Sequence, residues 1–173
     1  MDLTVDPSGF LTCLGRRYRC ALGRSGLRRD KREGDGATPV GVFALRRVLY
    51  RADRIAAPAT GLALTALKPE DGWCDDPRDA RYNRPVTLPF AASHEKLWRD
   101  DAVYDAIVIL GHNDDPPVPE LGSAIFMHLA RPGYEPTEGC VALALPDLLA
   151  VLAECRPGDR IRINPPAPDA PRK

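Results

Sequence analysis

The chain has 173 residues, a length that suits one domain with a complete hydrophobic core. Its 24 basic residues balance its 24 acidic residues, so no overall field would draw it to nucleic acid or to an anionic membrane. Five cysteines leave at least one unpaired, which argues against a disulfide framework and suits a catalytic thiol. No stretch approaches the ~18 apolar residues of a membrane helix, and residues 1–6 lack the basic and apolar regions of a secretory signal.

The first part of the chain predicts a meander of short strands at residues 3–5, 10–14 and 17–22. Glycine-containing turns separate the three runs. A turn at residues 15–18 would place Cys13 opposite Cys20 across a hairpin. Two outcomes are open for this pair, a bridge in an oxidising compartment or two packed thiols.

The middle of the chain alternates strand patterns with irregular loops. The polar loop at residues 31–39 is either a surface loop or a cradle for one end of a substrate, and strands are predicted at residues 40–50 and 62–67. Residues 71–85 are rich in aromatic and acidic side chains, as is typical of loops that line a site. Trp73 is therefore a candidate substrate contact, with a lid over the core as its alternative role.

A short helix is predicted at residues 93–99, because Ser93 is a favourable N-cap. The apolar run at residues 104–111 predicts a central strand, which ends on His112 and Asn113. These two side chains are candidate substrate contacts. Two aspartates follow them, but the chain lacks the spacings of a structural zinc site, so we expect hydrogen-bonding loop residues rather than a metal site.

Towards the end of the chain, an apolar stripe predicts a helix at residues 146–155, with Cys155 in the core, and a strand follows at residues 160–163. Residues 164–173 contain four prolines and are expected to form a disordered tail. We therefore expect a single domain at residues 1–163.

The stretch that carries chemistry lies just before this helix. Residues 124–129 predict a buried strand that holds His128, and the apolar run at residues 140–145 begins with Cys140. The proline- and glycine-containing loop at residues 131–136 can fold these ends together. A thiolate is a strong nucleophile, and a neighbouring imidazole can either take its proton or hold it as an ion pair.

The residues just before the cysteine support this hypothesis. Gly139 lets the backbone turn sharply and lets a substrate carbonyl approach the amides of Gly139 and Cys140, which would form an oxyanion hole. The hydroxyl of Thr137 could bond either the backbone or the imidazole and so fix the loop.

In this region the chain resembles the L,D-transpeptidase catalytic domain, the YkuD family of bacterial cell-wall enzymes. The matching signature is a strand histidine, then Ser or Thr, any residue, Gly, Cys and an aliphatic residue: His128, Thr137, Gly139, Cys140 and Val141. A second family motif is met by residues 38–43, TPVGVF. The resemblance implies a mostly β (α+β) fold, a mixed β-sandwich or distorted barrel with one or two short helices, and a groove for two stem peptides.

The activity implied by the resemblance is cysteine acyl transfer on peptidoglycan. Cys140 would attack a stem peptide, and the amine of a neighbouring stem would resolve the acyl-enzyme. Nucleophile, base and oxyanion donors all come from the chain, so we expect no cofactor. We further expect a monomer without nucleic-acid partners or a membrane span, inhibition by carbapenems, and a location in the periplasm or cell envelope.

Two positions depart from the pattern of many members, which carry Gly after the histidine and Arg two places after the cysteine. Here these positions hold Leu129 and Ala142, and Arg131 is the candidate replacement for the missing arginine. Tyr134 and Glu138 are further candidate substrate contacts. The departures suggest a subgroup, with proteobacterial enzymes that link L-alanine to diaminopimelate as a candidate. An amidase- or carboxypeptidase-like hydrolase and an inactive peptidoglycan-binding module are the alternatives.

Overall fold

The structure is a computed structural model that describes residues 1–165, so most of the predicted tail at residues 164–173 lies outside the described residues. The strands in chain order are β1 (Asp2–Asp6), β2 (Phe10–Cys13), β3 (Arg16–Ala21), β4 (Leu27–Arg28), β5 (Thr38–Pro39), β6 (Gly41–Tyr50), β7 (Leu64–Ala66), β8 (Asp71–Cys74), β9 (Pro85–Thr87), β10 (His94–Lys96), β11 (Ala106–Leu110), β12 (Phe126–Leu129), β13 (Val141–Leu143) and β14 (Arg160–Ile163). One α-helix, α1 (Leu145–Glu154), and a 3-10 turn at Pro132–Tyr134 complete the described elements. The predicted mostly β fold is confirmed.

The main sheet closes on itself through β6. Its strand order is β11-β12-β13-β3-β2-β1-β14-β6-β7, and β11 also pairs with β6. Residues 41–44 of β6 pair with β14, whereas residues 45–50 pair with β11 across a register shift. The long β6 therefore serves both ends of the sheet, which makes the fold a distorted barrel. Its interior is filled by apolar side chains such as Leu3, Val141 and Ile161, all completely buried.

Helix α1 packs against this core, as the apolar stripe predicts. Pro146 lies in its first turn, where its missing N–H costs no helical hydrogen bond. The helix buries Leu148, Val151 and Leu152 and lies against β12. Among the described residues, no helix has both the length and the apolar composition needed to span a bilayer.

A second core lies on the other face of β11 and β12. Strands β10, β8 and β9 form a small antiparallel sheet there. Trp73, Leu97, Ile107 and Phe126 are buried together in this second core, and Cys140 belongs to the same cluster. The candidate nucleophile is thus packed between the barrel and the small sheet.

The predicted helix at residues 93–99 is wrong, because His94–Lys96 form β10 and pair with β8. In a strand, Glu95 and Leu97 point to the same side. Leu97 is 1% exposed and joins the second core, whereas Glu95 receives a hydrogen bond from the Tyr104 hydroxyl. These long-range contacts outweigh the local N-cap preference, since a seven-residue helix is marginal by itself.

The predicted pairing of Cys13 with Cys20 is also wrong. Leu14 and Gly15 both have positive φ and form the hairpin turn, and in this register Cys13 lies opposite Arg16. Cys20 lies four positions further along β3, roughly 13 Å away at about 3.3 Å per residue. A disulfide needs Cα atoms no more than about 7 Å apart.

We therefore expect five titratable thiols in the unfolded protein, because all five cysteines are free in the structure. Thiol counting with Ellman's reagent in denaturant, without a reducing agent, measures this number directly. The thermal midpoint should not change when dithiothreitol is added. A count of three thiols together with a midpoint that falls on reduction would contradict the observed register.

Candidate active site

The pairing of β12 with β13 brings His128 and Cys140 into one cavity. The two strands run parallel, with His128 opposite Ala142, and Cys140 immediately precedes β13. Since side chains alternate along a strand, Cys140 and Ala142 point to the same face. That face lines a cavity of about 470 Å³, and His128, Cys140 and Ala142 all contribute to its wall.

The loop between these strands is attached to the segment after β3. The Thr137 amide donates to the carbonyl of Leu22 at 2.9 Å, and the Arg24 amide donates to the carbonyl of Thr137 at 2.8 Å. The Thr137 hydroxyl donates to the Cys140 carbonyl at 2.6 Å and accepts the Gly139 amide at 3.1 Å. The sequence predicted that this hydroxyl would bond either the backbone or the imidazole, and in the structure it bonds the backbone. Thr137 therefore fixes the three residues that follow it.

Gly139 has a backbone that only glycine adopts easily, with φ of +141°. A β-carbon at this position would lie 2.8 Å from the carbonyl oxygen of Ala37, which directly precedes the TPVGVF motif. The two sequence motifs thus touch in the fold. Because the Gly139 amide already bonds Thr137, it could stabilise an oxyanion only by sharing or giving up that hydrogen bond.

The thiol of Cys140 is buried and held by main-chain groups. Its sulfur donates to the Ala124 carbonyl and accepts the Phe126 amide, both at 3.3 Å. Burial raises the pKa of this thiol to about 12, and the nearby charge of Glu95 adds to the shift. At neutral pH the resting group is therefore a protonated thiol.

The imidazole of His128 is neutral as well. Burial is the main cause that lowers its pKa to about 4; the hydrogen bond to the Leu129 carbonyl opposes this shift, and the positive charges of Arg99 and Arg131 contribute to it. Its Nδ1 lies 2.9 Å from the Leu129 carbonyl oxygen, which can only accept, so we assign the proton to Nδ1. This tautomer leaves the lone pair of Nε2 free to act as a base. The ring packs edge-on against Tyr104, with 5.2 Å between the centroids.

Two arginines line the cavity, whereas the family pattern would supply one at position 142. Ala142 offers no charge to the cavity, but Arg131 and Arg99 both line it. Arg99 binds Asp101 at 2.7 Å and Arg131 reaches the same carboxylate at 3.5 Å. The hydrogen bond from Arg99 is the main reason why the pKa of Asp101 falls to about 2. Sequence reasoning selected Arg131 but missed Arg99, which lay in the wrongly predicted helix.

The other two loop candidates differ in position. Glu138 lines the cavity, and its exposed carboxylate pairs with Arg24 at 2.9 Å. Tyr134 contributes to a separate depression instead, where the guanidinium of Arg19 stacks on its ring at 4.4 Å.

Trp73, His112 and Asn113 do not line the cavity. Trp73 is buried in the second core and donates through Nε1 to Asn83 at 2.9 Å. His112 Nε2 lies 3.0 Å from the Leu121 carbonyl oxygen, and the amide of Asn113 bonds Val118 and Gly122. The polar groups of these three side chains therefore hold neighbouring loop segments in place.

Within residues 1–165, no three His, Cys, Asp or Glu side chains converge as a metal site would require.

Sequence reasoning did not single out several polar side chains of the cavity wall. Glu33, Asp75, Glu95 and Tyr104 all line it. Glu33 and Asp75 lie in the loops at residues 31–39 and 71–85, which the sequence offered as possible site-lining loops, but no motif distinguishes these two residues within them. The period-two pattern of residues 95 and 97 is a signal that could have identified Glu95 as a strand residue with an inward side chain.

A buried thiol, a neutral imidazole with a free Nε2 and a cavity between two cores define a site suited to cysteine-based acyl transfer. The family model of the L,D-transpeptidase catalytic domain, YkuD, matches residues 5–163. The chain therefore belongs to this family, and the resemblance seen in the sequence is confirmed. No curated protein and no solved structure gave a significant match.

Replacing Gly139 with alanine should destabilise the protein by more than roughly 1–3 kcal/mol, because backbone strain is combined with a clash against the Ala37 carbonyl. Urea denaturation measures this loss. Gly133→Ala is the matched control, since Gly133 also has a positive φ, of +72°, but has open space around it. Equal losses in the two variants would contradict the close approach of Gly139 to Ala37.

The raised pKa of the Cys140 thiol predicts slow alkylation that accelerates with pH. Only the thiolate reacts, so the rate of carbamidomethylation at Cys140 should rise roughly tenfold per pH unit from pH 6 to 9 without a plateau. Quenched-flow or manual sampling with peptide mapping follows this one cysteine among the five. A plateau below pH 7 would indicate a thiolate–imidazolium pair instead of two neutral groups.

Proposed function

We propose that this protein is a peptidoglycan L,D-transpeptidase that works through an acyl-enzyme on Cys140. The observation that carries the proposal is the shared cavity of Cys140 and His128 in a chain of the L,D-transpeptidase family. The substrates are two stem peptides, one as acyl donor and one as amine acceptor. The place of action that follows is the cell envelope, where such peptides occur.

Acylation uses the neutral pair directly. The thiol leaves the Ala124 carbonyl and passes its proton to Nε2 of His128 while its sulfur attacks the donor carbonyl. The carbon–nitrogen bond of the donor then breaks, and the proton on Nε2 goes to the departing amine. A thioester on Cys140 remains, and the imidazole returns to its neutral form.

Transfer to the acceptor reverses these roles. The acceptor amine attacks the thioester carbon, a carbon–nitrogen bond forms and the carbon–sulfur bond breaks. One proton of the amine passes through His128 to the sulfur, which restores the thiol. The burial that keeps both groups neutral at rest also limits the access of water to the thioester.

The arginines at the rim suit the anionic part of a stem peptide. Arg99 and Arg131 both face the cavity beside His128 and share Asp101 as their partner. In this proposal they take the place of the arginine that Ala142 does not supply, and bind a carboxylate of the donor.

Cys140→Ala should abolish the covalent adduct with a carbapenem, because the sulfur forms the bond. His128→Ala should slow adduct formation roughly 10²–10⁴-fold, as expected for the loss of a general base. Intact-protein mass spectrometry over time measures both effects.

Cys155→Ala is the matched control, since it removes another buried thiol, one that lies outside the cavity. This variant should form the adduct at the wild-type rate. An adduct on the Cys140→Ala protein, or on a different cysteine of the wild type, would show that the nucleophile has been placed on the wrong residue.

A further inference from the structure

Tyr104 packs directly against the imidazole of His128. The two ring centroids are 5.2 Å apart and the ring planes meet at 75°, an edge-to-face contact. The same phenol ring contacts Phe126, with 6.1 Å between the centroids. Phe126 and His128 are two positions apart in β12, so their side chains point to the same face. Tyr104 therefore covers two successive side chains of the strand that carries the proposed base.

The main chain holds Tyr104 beside this strand. The amide of Leu129, the residue after the proposed base, donates to the carbonyl of Val103 at 3.0 Å. On the other side of Tyr104, the carbonyl of Asp105 accepts the amide of Arg51 at 2.9 Å. Tyr104 thus lies between two residues that are bonded to neighbouring segments, and it is only 5% exposed. The barrel itself sets where its ring meets the imidazole.

The small sheet holds the other end of the same side chain. The hydroxyl of Tyr104 donates to the carboxylate of Glu95 in β10. Burial keeps the pKa of this phenol well above its usual range, so the hydroxyl retains its proton and remains a donor. The guanidinium of Arg99 lies 5.3 Å from the ring centroid, and its positive charge also acts on Glu95. Tyr104 is therefore held at its hydroxyl, across its ring and along its main chain.

The imidazole of His128 has few other restraints. Its Nδ1 bonds the Leu129 carbonyl at 2.9 Å, and no side-chain hydrogen bond within residues 1–165 joins it to a carboxylate. One hydrogen bond fixes one atom of a ring and leaves the ring free to pivot about that atom. A base must keep its orientation to transfer a proton efficiently, because small misplacements lower reaction rates strongly. The edge-to-face contact with Tyr104 supplies a second restraint.

We propose that Tyr104 is a positioning residue that keeps the His128 ring oriented for proton transfer, and that Glu95 fixes Tyr104 through its hydroxyl. The inference rests on the proposed function and deepens it. Because the hydroxyl is bound to Glu95, Tyr104 acts through the imidazole and not on the substrate. The task of the third group that orients a base is thus divided. The carbonyl of Leu129 selects the tautomer, and the phenol ring fixes the orientation.

The first experiment compares rates of carbapenem adduct formation by intact-protein mass spectrometry. Tyr104→Leu removes the ring and should slow acylation roughly ten- to hundredfold, because the imidazole loses its lateral contact. Tyr104→Phe keeps the ring and should slow acylation only about threefold.

Tyr82→Phe is the matched control for the loss of a phenol hydroxyl. Tyr82 is also buried and also donates to a glutamate of the cavity wall, Glu33. Among the aromatic contacts of the described residues, however, none joins Tyr82 to His128. Tyr82→Phe should therefore form the adduct at the wild-type rate. Equal slowing in Tyr82→Phe and Tyr104→Phe would contradict a specific role of Tyr104.

A double-mutant cycle shows whether Tyr104 acts through the base. In the His128→Ala protein, Tyr104→Leu should change the rate less than about twofold, since no imidazole remains to be oriented. The same slowing in both backgrounds would overturn the positioning role. If Tyr104→Leu does not fold, the cycle is carried out with Tyr104→Phe, whose smaller effect should likewise disappear.

The role of Glu95 is tested by two variants that both remove its charge. Glu95→Gln keeps an oxygen that can accept the phenol hydroxyl, whereas Glu95→Leu does not. The comparison therefore isolates the hydrogen bond from the effect of charge on the thiol. Glu95→Leu should form the adduct about threefold more slowly than Glu95→Gln. Equal rates would overturn the role of Glu95.

Nitrogen NMR of the His128 ring gives a measurement that does not depend on turnover. The wild type and Tyr82→Phe should show one neutral tautomer with its proton on Nδ1. Tyr104→Leu should show shifts averaged between the two tautomers, as the ring leaves the Leu129 carbonyl. A single tautomer in Tyr104→Leu would overturn the positioning role. Absence of a carbapenem adduct in the wild type would contradict the proposed function instead, and the tautomer comparison would still decide the role of Tyr104.

Discussion

The site depends on the parallel pairing of β12 with β13. This pairing places His128 opposite Ala142 and sets Cys140 on the same face of the sheet. Parallel strands need a connection that crosses back, and the loop from residue 130 to residue 140 is that connection. The hydrogen bonds of Thr137 and the close approach of Gly139 to Ala37 hold the last residues of this loop in place. These contacts allow β13 to pair with β12 in the observed register. The two family motifs are therefore parts of one contact.

Burial between two cores determines the chemistry of the resting site. The barrel core lies on one side of β12, and the small sheet with Trp73 and Leu97 covers the other. In this buried environment the thiol and the imidazole both prefer their neutral forms. A neutral thiol resists oxidation and alkylation, and in the proposed mechanism it becomes reactive only when a substrate carbonyl is in place.

Local patterns predicted most strands and the helix, because their apolar residues recur at the spacing that the final core requires. The strands at residues 104–111 and 160–163 and the helix at residues 146–155 are examples. The motif also predicted that His128 and Cys140 would meet in one cavity.

Long-range contacts account for the errors in the sequence-based predictions. Residues 93–99 follow the pairing of β10 with β8, and Cys13 and Cys20 are separated because the hairpin turn lies two positions earlier than expected. Trp73 and Asn113 have polar groups that serve the fold, and sequence alone cannot distinguish such groups from substrate contacts.

The most direct test of the account is the composition of muropeptides from sacculi treated with the protein. Sacculi are incubated with the wild type or with the Cys140→Ala protein, digested with a muramidase and analysed by liquid chromatography and mass spectrometry. The account predicts new cross-linked dimers with the wild type and none with the variant. Shortened monomers without any new dimers would contradict it, since they would show that water and not an amine resolves the acyl-enzyme.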